Sequence, residues 1–253
     1  MTKRSRRSNP PSRTRYYVIA GAMLLAVVGY LLVSGSLQNH AASSTNSTLQ
    51  TTSSSSGTSS KPVILYVNQG NGVVNSSNFG DLLTTATSHD FNTLFFQVYR
   101  SGTLLFDNES LLGFVTSAHG AGLKIFFALY FTNSTQTIPT SIYSDGEDGI
   151  SLDMSTLSSV AQTTLFNDLS SGYSGKSAIT TTDPTIPLKP DLLVVETYNE
   201  PSDEQYIHPG MIAGVEVVAT TSQQDYQQQV QYALANSDGV LVFDYAGLVK
   251  SGY

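Results

Sequence analysis

The chain of 253 residues contains no cysteine. That excludes disulfides, thiol catalysis and cysteine-ligated zinc or iron–sulfur centres. Any folded domain must then be stable on its core alone, which about 190 residues can supply. Basic residues are scarce beyond the N-terminus. Six of the twelve (Lys3, Arg4, Arg6, Arg7, Arg13, Arg15) precede residue 16, while all nineteen acidic residues lie at or after Asp81. From Lys61 onward six basic residues stand against nineteen acidic ones, a net of −13. Affinity for nucleic acid comes mainly from Lys and Arg neutralising phosphate, so no nucleic-acid partner is expected. The four histidines (His40, His89, His119, His208) show no metal-ligand spacing, and Asn68-Gln69-Gly70-Asn71-Gly72 is too loose for a phosphate loop. Neither a metal nor a cofactor is expected.

Charge is also missing from residues 16–33, an unbroken run of apolar and small residues that 34–37 extend. Eighteen to twenty-two residues at about 1.5 Å each span a hydrocarbon core of about 30 Å. The apolar region of a cleaved signal is shorter, about 7–15 residues. The spacing thus predicts one transmembrane signal anchor over 16–37, with cleavage near Val33-Ser34-Gly35 as the alternative. Basic residues 1–15 form a cytoplasmic tail, so the positive-inside rule sends the main domain out of the cytoplasm. Residues 38–61 are mostly Ser and Thr without apolar periodicity, a composition that predicts a flexible stalk. Asn46, Asn75, Asn108 and Asn133 each open an Asn-x-Ser/Thr sequon.

Residues 62–253 read as strands alternating with helices. Strands are expected at 63–67, 93–99, 124–130, 149–153, 177–182, 192–197, 214–220 and 239–244. Helices are expected at 79–88, 110–118, 156–169 and 223–236. Runs such as Thr93-Leu94-Phe95-Phe96-Gln97-Val98-Tyr99 are apolar without alternation, as parallel strands covered on both faces require. Eight such strands predict a compact (β/α)8 barrel of the TIM type. The alternative is an open, doubly wound parallel sheet, favoured by the small size, by short connections after strands three and five, and by little room for a last helix.

In either fold the working edge is the C-terminal ends of the strands. Tyr66, Gln97, Tyr99, Arg100, Tyr130, Asp153, Glu196, Tyr198, Glu216 and Asp244 fall there. Glycosidic cleavage uses two carboxyl groups, one protonated and one charged. Asp153 and Glu196 each end an apolar strand, where a charge is costly unless it meets a polar pocket. Helix capping is the ordinary alternative for Asp153. Glu216 is expected mid-strand, and Arg100 as a carboxylate clamp or a surface ion pair. Asp244 is expected either to bind substrate or to hydrogen-bond nearby backbone.

Asp148-Gly149-Ile150-Ser151-Leu152-Asp153 and Pro190-Asp191-Leu192-Leu193-Val194-Val195-Glu196-Thr197-Tyr198 resemble strands four and six of endo-α-1,4-polygalactosaminidase-like glycosidases. Leu94–Arg100 and Gly239–Tyr245 resemble strands two and eight of related glycosyl-hydrolase-like barrels. The resemblance implies a TIM barrel in which Asp153 is the nucleophile or base and Glu196 the proton donor. The mix of carboxylates, amides and tyrosines at the C-terminal strand edge has the character of a carbohydrate site, so Tyr66, Gln97, Tyr99, Arg100, Tyr130, Tyr198, Glu216 and Asp244 are expected to line a polysaccharide or glycan site. Thr182-Asp183-Pro184-Thr185 lacks the polar motif expected after strand five. The leading expectation is a membrane-anchored extracytoplasmic glycoside hydrolase. A non-catalytic sugar-binding or cell-surface module on a degenerate barrel, and a structural envelope protein, stay open beside it.

Overall fold

The computed structural model describes residues 60–69, 74–75, 77–143, 146–197, 207–218 and 220–251. The expected anchor at 16–37 and the stalk up to residue 59 lie outside them. Among the described residues no helix is long and apolar enough to cross a membrane.

Eight parallel strands form the centre: β1 (Val63–Val67), β2 (Thr93–Arg100), β3 (Lys124–Tyr130), β4 (Gly149–Asp153), β5 (Lys176–Thr181), β6 (Leu192–Glu196), β7 (Ile212–Glu216) and β8 (Gly239–Phe243). Each pairs with the next in chain order. β1 also pairs with β8, Val63 opposite Val240 and Tyr66 opposite Phe243. That last ladder closes the sheet into a barrel and rules out the open alternative. A two-residue antiparallel strand, Thr103–Leu104, hangs on β2.

The continuous apolar runs divide between two cores because successive side chains point to opposite faces. Phe95 stacks inside the barrel on Phe126 at 5.1 Å, while its neighbour Phe96 faces out onto Phe114 at 4.3 Å. Ile64, Tyr66, Ala128, Ala178, Val194, Ile212 and Leu241 complete the interior with Phe95 and Phe126. A larger outer core lies between the strands and the helices. Each large apolar side chain buried there contributes about 1.5–3 kcal/mol.

The described helices are α1 (Phe79–Ser88), α2 (Asn108–Gly120), α3 (Ser159–Gly172), α4 (Gln223–Asn236) and a short α5 (Tyr245–Ser251). Side-chain oxygens of Asp107, Ser158 and Ser222 accept the free amides at the starts of α2, α3 and α4. Ser158 explains why α3 begins three residues later than its periodicity predicts. Among the described residues the connection from β3 holds only a single 3-10 turn, Thr140–Ile142, and that from β5 holds no helix, as their lengths predict. A last helix does form, contrary to expectation, because α5 needs only seven residues. β7 starts and stops earlier than predicted. Its Val217-Val218 continuation outruns β8, which ends at Phe243.

A repeated device closes the N-terminal edge. The residue just before each even-numbered strand offers a side-chain oxygen to a backbone amide within two residues of the start of the preceding odd strand. Asn92 accepts from Val63, Asp148 from Ile125, Asp191 from Ser177 and Asp238 from Gly210, all at 2.8–3.1 Å. Amides that no strand would otherwise satisfy are met this way.

Candidate functional site

Strand alternation decides which expected residues reach the barrel mouth. In β4 the outer core takes Ile150 and Leu152, which turns Ser151 and Asp153 inward. In β6 and β7, Val194 and Ile212 face inward, so Glu196 and Glu216 share that side. All three acids are the last residues of their strands. Glu216 therefore ends its strand rather than standing in its middle. Thr197, just after Glu196, donates both its amide (3.0 Å) and its hydroxyl (2.9 Å) to the Gly214 carbonyl, fixing the end of β6 against β7.

Asp153 is the most deeply placed acid among the described residues, 5% exposed. Its Oδ2 accepts from the Tyr66 hydroxyl at 3.3 Å and its Oδ1 from Ser155 Oγ at 3.2 Å. Burial outweighs the Ser155 and Tyr66 hydrogen bonds and pushes the carboxyl up to about 6. Capping is not its role, since α3 begins six residues later on Ser158. Tyr66 is itself buried against Phe243, with ring centroids 4.9 Å apart. Gln97 Nε2 donates to the Tyr66 hydroxyl at 3.5 Å, and Gln97 Oε1 accepts the Gln69 amide at 3.0 Å. Tyr66 and Gln97 thus support Asp153 from below and offer no open face for a sugar.

Tyr130 ends β3 beside Asp153 in register, with Arg100 of β2 on its other side. The guanidinium lies over the Tyr130 ring, 5.7 Å from its centroid. Tyr99 goes elsewhere. A register shift between Gln97 and Tyr99 turns it into the outer core, 4% exposed and 5.3 Å from Phe131. Asp244 also departs from the mouth's chemistry. Its Oδ1 accepts the Gly247 amide at 2.9 Å in the first turn of α5, and burial holds its carboxyl above the usual range despite that bond. Of its two expected roles the structure shows the backbone one. Tyr198 lies outside the described residues.

Three neighbours escaped sequence reading. Ser155 had a signal, being a hydroxyl two residues after an aspartate, where local side-chain bonding is common. Thr180, opposite Asp153 in register, and Ser151 had none, because each looks like an ordinary strand residue. Both are buried, and neither hydroxyl finds a hydrogen-bond partner in the protein. Among the described residues no group of three metal-ligating side chains occurs.

No protein-family model matches the chain, and no curated protein sequence does. Among solved structures the chain is similar to a GH113 β-1,4-mannanase at 10% identity, over 73% of this chain and 87% of that one, with a TM-score of 0.51. Looser matches include an HpcH/HpaI aldolase from Desulfitobacterium hafniense (7% identity, 76% and 90% covered, TM-score 0.47). A GH18 chitinase from Flavobacterium johnsoniae is similar at 13% identity, with 74% and 89% covered and a TM-score of 0.46. At such identities the likeness shows the TIM-barrel fold alone.

Proposed function

We propose that residues 62–253 form a glycoside-hydrolase-like domain that cleaves a polysaccharide or surface glycan, held outside the cytoplasm by an anchor at 16–37. The observation that carries the enzymatic part is Asp153, a buried carboxyl at the barrel mouth pushed up to about 6. A carboxyl that holds its proton up to about pH 6 can give it to a leaving glycosidic oxygen. This reverses the roles that the resemblance implied. Asp153 gives its proton to the leaving oxygen as the C–O bond breaks. Glu196 attacks the anomeric carbon or takes a proton from the water that does, and water supplies the new hydroxyl. Glu216 binds sugar hydroxyls, and Tyr130 offers an aromatic edge. The anchor rests on the length, apolarity and basic flank of 16–37.

The test measures new reducing ends from neutral and amino-sugar polysaccharides with the full chain, Asp153→Asn and Glu196→Gln. Loss of activity in both variants, with unchanged melting cooperativity, supports the reading. Activity that survives both substitutions sinks it.

A second reading is a sugar-binding module without catalysis. It is favoured by the occlusion of Asp153, at 5% exposure with both oxygens already hydrogen-bonded. It predicts glycan binding that Asp153→Asn leaves in place and no cleavage of any substrate.

A further inference from the structure

Cations are distributed unevenly over the barrel. Lys61, Lys124, Lys176 and Lys189 stand before a strand or at its first residue, and Lys250 lies on α5. Arg100 is the only arginine after Arg15 and, among the described residues, the only basic residue that ends a strand. It is half-buried. Among the described residues the sole ion pair is His119–Asp148, so the Arg100 guanidinium meets no carboxylate there, and no hydrogen bond reaches it. Its five donors meet no acceptor among the described residues, only the Tyr130 face, and stay open to solvent and so to a ligand. Its geometry suits a carboxylate, which it grips with two parallel hydrogen bonds.

Its position says where that carboxylate would sit. Arg100 pairs with Tyr130, and Tyr130 with Asp153, on three adjacent strands. Two strand spacings place Arg100 roughly 10 Å along the mouth from Asp153, about the reach of a sugar next to a bond being cleaved there.

We propose that Arg100 recognises a carboxylated sugar, a uronic acid, in the glycan that this mouth binds. The inference rests on the carbohydrate reading of the site. The acidic excess of the domain narrows it further. Nineteen acidic residues against six basic ones repel a polyanion, so the ligand is an isolated uronic acid in an otherwise neutral chain rather than a polyuronate.

The experiment is a calorimetric titration of the full chain with a hexuronic acid–hexose disaccharide and with its methyl ester, which keeps the shape and removes the charge. Wild type is expected to bind the acid roughly ten- to a hundredfold more tightly than the ester, as loss of a charge-assisted hydrogen bond implies. Arg100→Gln should bring that ratio to about one, and Arg100→Lys should keep part of it, since a lysine supplies the charge without the fork. Wild type that binds both equally overturns the proposal without needing any variant, and leaves the carbohydrate reading standing. A ratio that survives Arg100→Gln overturns it as well. Binding of neither sugar overturns this inference, while the carbohydrate reading stands or falls separately on the reducing-end assay.

Discussion

The Tyr66 hydroxyl on β1 crosses the barrel interior to Asp153 on β4, three strands away, and donates to its Oδ2 at 3.3 Å. A phenol that donates to a carboxylate favours the charged form, opposing the burial that pushes Asp153 up. Tyr66→Phe removes only that opposition. The Asp153 titration, followed by carbon NMR of its carboxyl, is therefore expected to move upward. A downward shift would mean that the bond favours the protonated acid, with the carboxyl donating instead.

The same carboxyl makes stability depend on pH with a definite sign. Its folded value of about 6 exceeds the ordinary 3.8. The proton is thus bound more tightly in the fold than in the unfolded chain. Its stabilising contribution is complete below about pH 3.8 and lost as pH rises through about 6, a difference of about 3 kcal/mol. Asp153→Asn keeps an acceptor for Tyr66 and Ser155 without the charge. Denaturant titrations should show the variant gaining on wild type between pH 4 and 7, reaching about 1–3 kcal/mol more stable. An equal offset at both pH values would remove burial as the cause.

If Asp153 is the proton donor, cleavage has a limb that falls as pH rises through about 6. The measurement is kcat/KM from pH 4.5 to 8. Asp153→Asn should abolish the limb together with at least a hundredfold of rate. A rate that climbs through pH 6 would make Asp153 the base, as the family resemblance implies.

At the opposite edge, Asp148 Oδ2 accepts from the Ile125 amide at 2.8 Å and contacts His119 Nε2 at 2.9 Å. The histidine contact is largely exposed, so it adds little. The amide bond dominates. Asp148→Ala is expected to cost about 1–2 kcal/mol and Asp148→Asn, which retains an acceptor, less than half of that. Urea midpoints in low and high salt separate the two contacts, since salt weakens only the histidine pair.

Two glycines should respond in opposite directions to alanine. Gly113 lies inside α2, and a methyl there meets nothing within 4 Å. Gly113→Ala is expected to stabilise by about 0.5–1 kcal/mol. Gly149 opens β4, and a methyl there would run into the Phe126 ring and the Lys176 carbonyl. Gly149→Ala is expected to cost about 1–3 kcal/mol through overpacking. Thermal midpoints of both variants check the pair.

Much of the barrel was legible because its strands are short, apolar and separated by periodic helices. The expected bounds of β1, β3, β4, α1 and α4 are those observed. Asp148 and Asp238 each stand just before a strand in sequence and accept an amide of the neighbouring strand's start in space. Acids at strand ends could be listed from sequence because Asp153 and Glu196 interrupt apolar runs. Sequence also determined the absence of thiol chemistry, the acidic excess, and the apolar length of 16–37.

Closure was expected from the count of eight strands but decided only in three dimensions, since an open sheet and a barrel share the same strand pattern until β1 meets β8. The local pattern also missed the shift between Gln97 and Tyr99, because a bulge depends on the partner strand. It alone sends Tyr99 outward while Gln97 stays with Tyr66. Most of all, only tertiary structure decided which acid is buried at the barrel mouth. Asp153 and Asp244 both sit at strand ends, yet one is met by a tyrosine from across the barrel and the other by the helix that follows it. A side chain's pKa and purpose are set by what surrounds it in three dimensions, and residues 87 positions apart supply that surrounding here.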